Sequence, residues 1–151
     1  MIEAIPDNMF SWNYFLTGDG HKAFWEKKWT SEQCSVLIDD DLFNVRKHGP
    51  GSGKWSLERN GDVIASAQKQ SVFKRSFRLD TQIGVLYLMS YGAFTRRFFL
   101  GQEKEAIANI SPRNLFSRKA QIDVLSEELD FPTTVFSFWL VVLCWRRQEG
   151  A

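Results

Sequence analysis

The segment FPTTVFSFWLVVLCWRR, residues 131 to 147, leaves the chain fewer choices than any other. From Val135 to Trp145 every residue except Ser137 is apolar. Pro132 suits the first turn of a helix and not its interior, and Arg146 and Arg147 suit the negative end of the helix dipole. The stretch therefore predicts a helix over about residues 132–147. A helix that is apolar on all sides has to be enclosed, by lipid or by protein. Length separates the two: Val135–Trp145 rises about 17 Å, and a start at Phe131 gives about 22 Å, against a hydrocarbon core of about 30 Å. The expectation is a helix buried in protein, with no transmembrane span. A tail anchor that inserts by thinning the bilayer is the competing reading.

What encloses the helix must come from the residues before it. At 151 residues, 44% hydrophobic and 25% charged, the chain has the make-up of one soluble globular domain, and 15% aromatics suits the half-buried surface of strands. Turn signals come often and the apolar runs between them are short. TGDG at 17–20, DDD at 39–41 and RNGD at 59–62 each separate two strand-like runs, and Asn60-Gly61 has the composition of a type I′ hairpin turn. Further turns near DTQIG and GQEKE bring the count to about eleven strands between residues 10 and 124. A barrel interior widens with strand number, and a can of about eleven strands holds one helix about 10 Å across. The fold expected is mainly β: a closed antiparallel barrel of about 11–12 strands in meander hairpins around the C-terminal helix, a single domain over residues 1–151.

One phrase recurs. SVFKRSFRL at 71–79, GAFTRRFFL at 92–100 and NLFSRKAQI at 114–122 place Phe73, Phe94 and Phe116 at steps of 21 and 22 residues, a period that fits one two-stranded unit with its connection. In an unbroken strand Arg75, Arg96 and Arg118 would share a face with the apolar residues of their repeats. Either the F-x-R triplet bends the chain from one hairpin to the next, or the arginine stands at the barrel rim with its stem on apolar surface and its head in water. Net charge is +1, yet from Lys69 to Lys119 there are ten basic residues against three acidic ones, an excess of seven, while the remainder carries nine against fifteen. Such asymmetry can build a basic face on a nearly neutral molecule. The candidate anion-binding residues are Lys74, Arg75, Arg78, Arg96, Arg97, Arg118 and Lys119.

The hairpin meander, the three basic-aromatic units and the closing helix VFSFWLVVLCWRR together resemble the tubby C-terminal-like superfamily, which includes the LURP-one-related proteins and the phospholipid scramblases. The likeness runs from about Trp55 to Arg147. It implies a barrel of about twelve strands around a central hydrophobic helix. Tubby-type members bind phosphoinositide headgroups through basic residues on the barrel, and many bacterial and plant members have no assigned role. The tubby basic pair does not align onto a particular Lys or Arg of this chain. The scramblase calcium segment and palmitoylated N-terminal region find no counterpart, which argues against lipid scrambling.

Residues of catalytic type are few, and each has a plainer use. GPGSGK at 49–54 would need Gly at 48 and Ser or Thr at 55 to be a phosphate loop, but His48 and Trp55 stand there. It reads as a flexible hairpin loop. His21 and His48 each lie beside a turn and read as solvated, and Cys34 has no visible histidine partner. Glu127, Glu128 and Asp130 precede a helix start, where acidic residues are favoured by the dipole. Phe98-Phe99 and Trp25 with Trp29 read as core rather than base-stacking platforms. Two cysteines, Cys34 and Cys144, are too few for a disulfide framework and point to a reducing compartment. MIEAIPDNMF lacks the basic and apolar pattern of a secretion signal, so a cytoplasmic protein, peripheral at the membrane, is expected. No cofactor, metal, nucleic acid or enzymatic activity is expected. The function expected is a non-enzymatic module docking on anionic phospholipid or phosphoinositide. A protein-interaction scaffold without a lipid role is the alternative, and oligomeric state is left open.

Overall fold

The computed structural model describes residues 1–26, 31–71 and 74–149. Among them twelve strands form one closed antiparallel barrel in meander order: β1 (Ile2–Pro6), β2 (Tyr14–Gly18), β3 (His21–Phe24), β4 (Cys34–Ile38), β5 (Asp41–Lys47), β6 (Lys54–Arg59), β7 (Asp62–Lys69), β8 (Ser76–Thr81), β9 (Gly84–Ser90), β10 (Phe98–Gln102), β11 (Glu105–Pro112) and β12 (Ala120–Val124). The chain ends in a helix, α1 (Phe131–Glu149). The expected barrel and its central helix are both present, and all eleven expected strands are found.

The twelfth strand is β1, which lies ahead of the expected start near residue 10. It closes the barrel by pairing with β12 (Ile2↔Ile122, Ala4↔Ala120) and with β2 (Ala4↔Leu16, Pro6↔Tyr14). Ile2 and Ala4 point inward and Ile5 outward, but five residues ending in a proline give a weak strand signal on their own. Residues 7–13, expected to begin the first strand, are a connection instead.

The strands alternate as a one-sided sheet requires, with one face buried and the other wet. Many wall positions facing the interior are alanine: Ala4, Ala23, Ala65, Ala67, Ala108 and Ala120 are all buried. They share the interior with large wall residues such as Tyr14, Trp25, Trp55, Phe77 and Phe98 and with Phe136, Phe138, Trp139 and Trp145 of α1, all almost wholly enclosed, and Tyr14 and Trp25 both pack against Phe138. Asp130 caps the helix, accepting hydrogen bonds from Thr133 N at 2.9 Å and from Thr133 Oγ1. The hydroxyls of Thr134 and Ser137 donate to the carbonyls four residues back, which lets polar side chains sit inside the plug. Trp139 Nε1 donates to Cys34 Sγ at 3.0 Å.

The two ends of the barrel differ. At one end β2–β3, β4–β5, β6–β7, β8–β9 and β10–β11 are joined by two-residue turns. Asp19-Gly20, Asp39-Asp40 and Asn60-Gly61 all have the positive φ that such turns demand. At the other end the connections are long, and the helix, which enters at the short-turn end through residues 125–130, finishes among them.

Candidate functional site

Four neighbouring long loops share one build. Residues 7–13, 70–76, 91–97 and 113–119 are each closed by a hydrogen bond from the first N–H to the last carbonyl: Asp7 to Asn13 at 2.8 Å, Gln70 to Ser76 at 3.0 Å, Tyr91 to Arg97 at 2.9 Å and Arg113 to Lys119 at 2.8 Å. The repeat read in the sequence is this loop, with Phe in the fourth place and Arg in the sixth. The structure adds a copy, 7–13, in which Phe10 is fourth and Trp12 replaces the arginine. The signal was there: Asn8-Met9-Phe10-Ser11 matches Asn114-Leu115-Phe116-Ser117, and Phe10 stands 63 residues, three steps of 21, before Phe73. Tryptophan in the sixth place hid it. Val72 and Phe73 lie outside the described residues, as does Trp29.

In loops 7–13, 91–97 and 113–119, side chains within the loop fix its tip. Asn8 Oδ1 accepts from Phe10 N at 3.0 Å and Asn114 Oδ1 from Phe116 N at 3.1 Å. Ser11, Thr95 and Ser117 hydroxyls accept from the N–H two residues on, at 2.9, 3.1 and 3.0 Å, the local turn chemistry these residue types favour. The tips point away from the core. Phe10, Phe94 and Phe116 are 78%, 94% and 96% exposed, with Met9 and Leu115 beside them at 74% and 84%.

The arginine in the sixth place does something else: it staples its loop to the next. Arg75 donates to the carbonyls of Gly92, Ala93 and Thr95 at 2.8, 3.1 and 2.6 Å, and Arg96 to those of Leu115 and Ser117 at 3.4 and 3.1 Å. Arg118 stacks over Trp12, 3.7 Å from the ring centre. Each also reaches the end of the plug: Arg75 to Gln148, Arg118 to Glu149, and Arg96 over the Trp145 ring. The backbone carbonyls in the sixth place accept from buried aromatic donors, Trp12 O from Trp25 Nε1, Arg96 O from Trp145 Nε1 and Arg118 O from the Tyr14 hydroxyl. Burial pushes the Tyr14 phenol well above its usual pKa, against the opposing charges of Arg96 and Arg118, so it stays a donor.

The seven basic candidates therefore divide. Arg75, Arg96 and Arg118 stand together on one rim, in the loops that turn the chain from one hairpin to the next, and their heads lie against loops and helix rather than in water, with Arg96 Nε and Arg118 Nη1 buried without a hydrogen-bond partner among the described residues. Lys74, Arg97 and Lys119, in the fifth and seventh places of these loops, are exposed at the same end, with Arg97 beside the Tyr91 ring. Arg113, in the first place of its loop, joins them and lies 3.6 Å from Glu3. Arg78 is apart from the group, on the outer wall beside Asp80 at 3.3 Å.

Elsewhere on the rim Glu32 receives Lys47 and Arg147, and both cations lie against the Trp55 ring. Burial alone would raise the Glu32 pKa, but hydrogen bonds and charge from Lys47 and Arg147 prevail and hold it below the ordinary carboxylate value. The opposite end is predominantly acidic: Asp19, Asp39, Asp40, Asp41, Asp62, Glu103, Glu105, Glu127 and Glu128 lie in or beside its turns against Lys22, Arg59 and Lys104, while Asp7, Glu26 and Glu149 join Glu32 as the carboxylates of the mainly basic long-loop end. The barrel thus carries a charge dipole along its axis.

Between adjacent tip loops lie open clefts. One of about 590 Å³ is flanked by Phe94, Arg97 and Leu115, one of about 430 Å³ by Met9, Phe116 and Lys119, and one of about 270 Å³ by Lys74 and Arg75.

The residues of catalytic type are occupied in other ways. The glycine-rich segment is the β5–β6 connection, with positive φ at Gly49, Gly51 and Gly53 and a strand after it. Of the two histidines expected to be solvated, His21 is exposed and His48 is half-buried, and each has a partner. His21 lies 2.6 Å from Asp39 and stacks on Phe131, and His48 lies 2.7 Å from the Ser56 hydroxyl. Cys34 and Cys144 are buried free thiols, and burial raises the Cys144 thiol to about 11. Among the described residues no three of His, Cys, Asp and Glu gather as a metal site would need, and no helix is long and apolar enough to cross a membrane. Comparison with protein-family models, with curated proteins and with solved structures finds no match for this chain.

Proposed function

We propose that the protein is a non-enzymatic module that docks, by the long-loop end of its barrel, on membranes containing anionic phospholipid. The observation that carries this reading is the axial charge separation: Lys74, Arg97, Arg113 and Lys119 crown one end, and the carboxylates of the hairpin turns crown the other. Near an anionic leaflet each such cation is worth about 1 kcal/mol; with Arg113 offset by Glu3, Lys74, Arg97 and Lys119 supply about 3 kcal/mol, roughly a hundredfold in partition. That is enough for reversible association and weak enough to be released by salt. The same dipole turns the acidic end away from the surface. Clefts flanked by cations suit phosphate headgroups, and phosphoinositides, which carry extra phosphate, are the ligand class favoured within the anionic lipids.

The test is co-sedimentation with phosphatidylcholine vesicles with and without 30 mol% phosphatidylserine or a few mol% phosphoinositide. Binding should require the anionic component and fall steeply between about 50 and 500 mM salt. Arg97→Glu with Lys119→Glu should reduce it about tenfold or more while leaving the thermal unfolding midpoint unchanged, because both side chains are exposed. Binding that ignores lipid charge, or no binding to any vesicle, removes the proposal.

A further inference from the structure

Resting on that reading and deepening it, we infer that Phe10, Phe94 and Phe116 are insertion tips, which enter the outer acyl-chain region of the bilayer while Arg97 and Lys119 remain at the headgroups. Single exposed apolar residues are normal on a protein surface. Here large apolar side chains head consecutive loops around one arc of the rim, and each is more than three-quarters exposed. A contiguous arrangement of this kind marks an interaction surface.

The loops are also built to hold these tips out. The same first-to-last hydrogen bond closes each one, Asn, Ser and Thr side chains fix the turn from within, and the sixth-place arginines tie one loop to the next. Nothing in this bonding depends on the phenyl ring itself. Rigid presentation of an apolar group lowers the ordering cost of docking.

The occupant follows from charge and shape. Each of the two best-exposed tips has a cation three residues on in the same loop, Arg97 after Phe94 and Lys119 after Phe116. Basic and aromatic residues in alternation match a surface that is anionic outside and apolar a few ångströms below. Because the tips are separate points with open clefts between them, headgroups can fill the spaces, whereas a flat protein partner would leave them empty. The docked barrel then stands on end, with α1 running toward the membrane and the acidic turns facing away.

Depth is measured on the full chain. A solvatochromic thiol-reactive dye is placed at Phe94→Cys, at Phe116→Cys and, as a control, at Asp40→Cys on the short-turn end. Buried Cys34 and Cys144 remain unlabelled in the folded protein. With vesicles containing 30 mol% phosphatidylserine, both tip labels should shift to the blue and be quenched by lipids carrying a nitroxide near the top of the acyl chain, and the Asp40 label should do neither. Phe10→Ser, Phe94→Ser and Phe116→Ser combined should weaken vesicle binding about a hundredfold without lowering the unfolding midpoint.

Charge-dependent binding with all three labels unquenched would overturn insertion while leaving surface docking in place, so the two readings fail separately. If the triple variant keeps its vesicle affinity and instead loses self-association in sedimentation velocity, the tips are a contact between copies and the inference is overturned. Quenching of the Asp40 label in place of the tips would overturn the orientation and the inference with it.

Discussion

Two adjacent arginines show how finely the rim divides its labour. Arg96 turns toward the core, stacks on Trp145 and donates to Leu115 and Ser117 carbonyls, while Arg97 is exposed beside Tyr91. The F-x-R repeat sets Arg96 apart from Arg97 in the sequence, but not which of the two turns inward, because a change of face between consecutive residues depends on where the loop gives way to the strand. Glu32 is a second residue whose role is tertiary, since its partners Lys47 and Arg147 come from distant parts of the chain. Its carboxyl is held below the ordinary Glu value near 4.5. A lowered folded-state pKa means that the contribution to stability is complete above that value and drains away as pH falls through the lowered one. Glu32→Gln should therefore cost about 1 kcal/mol in urea unfolding at pH 7, the screened worth of a partly exposed pair, and the gap to the parent should close as the pH falls below the ordinary Glu value and through the lowered one.

Among the elements, β1 is the one that the sequence pattern failed to mark and the one that completes the wall. Its fit depends on Gly18 at the end of β2. A Cβ there would lie 2.4 Å from the Met1 carbonyl oxygen and 2.8 Å from the Ile2 Cα, both backbone atoms, which cannot swing aside. Gly18→Ala should cost about 1–3 kcal/mol, read as a lower midpoint in chemical denaturation. Amide exchange should quicken first in β1 and in its partners β12 and β2. Gly20, in the adjacent turn, has open space around it, so Gly20→Asn, which keeps access to positive φ, should be nearly neutral and serves as the control. The repeated loops form the opposite case: Phe in the fourth place and Arg in the sixth are plain in the sequence, and the puzzle of an arginine sharing parity with apolar residues dissolves because the loop ends after the arginine and the strand begins later.

For the whole molecule the helix and the wall are one structure. Fourteen helix residues, from Phe131 to Trp145, are buried, and the barrel interior would be left hollow without them. Each large side chain contributes about 1.5–3 kcal/mol on burial, so loss of the helix exceeds the whole stability of an ordinary domain, about 5–15 kcal/mol. Truncation after Asp130 should abolish the cooperative unfolding transition and near-ultraviolet circular dichroism rather than yield a folded, better-behaved barrel. A truncated chain that unfolded cooperatively would show that the plug is dispensable.

Some of this was settled by the chain alone. An all-apolar helix too short for a bilayer must be wrapped by protein, short strands punctuated by turn residues are what can wrap it, and the strand count follows from the width the helix needs. The chemistry of the tip loops, aromatic then basic at a fixed spacing, is equally local. Only the tertiary structure decided that these loops lie side by side. In an antiparallel meander successive connections fall at opposite ends, so charges that are interleaved along the chain separate along the barrel axis. Closure by β1 then brings Phe10 round to stand beside Phe116, at the far end of the sequence from it. No local pattern encodes that adjacency, because it is a property of a sheet that meets itself.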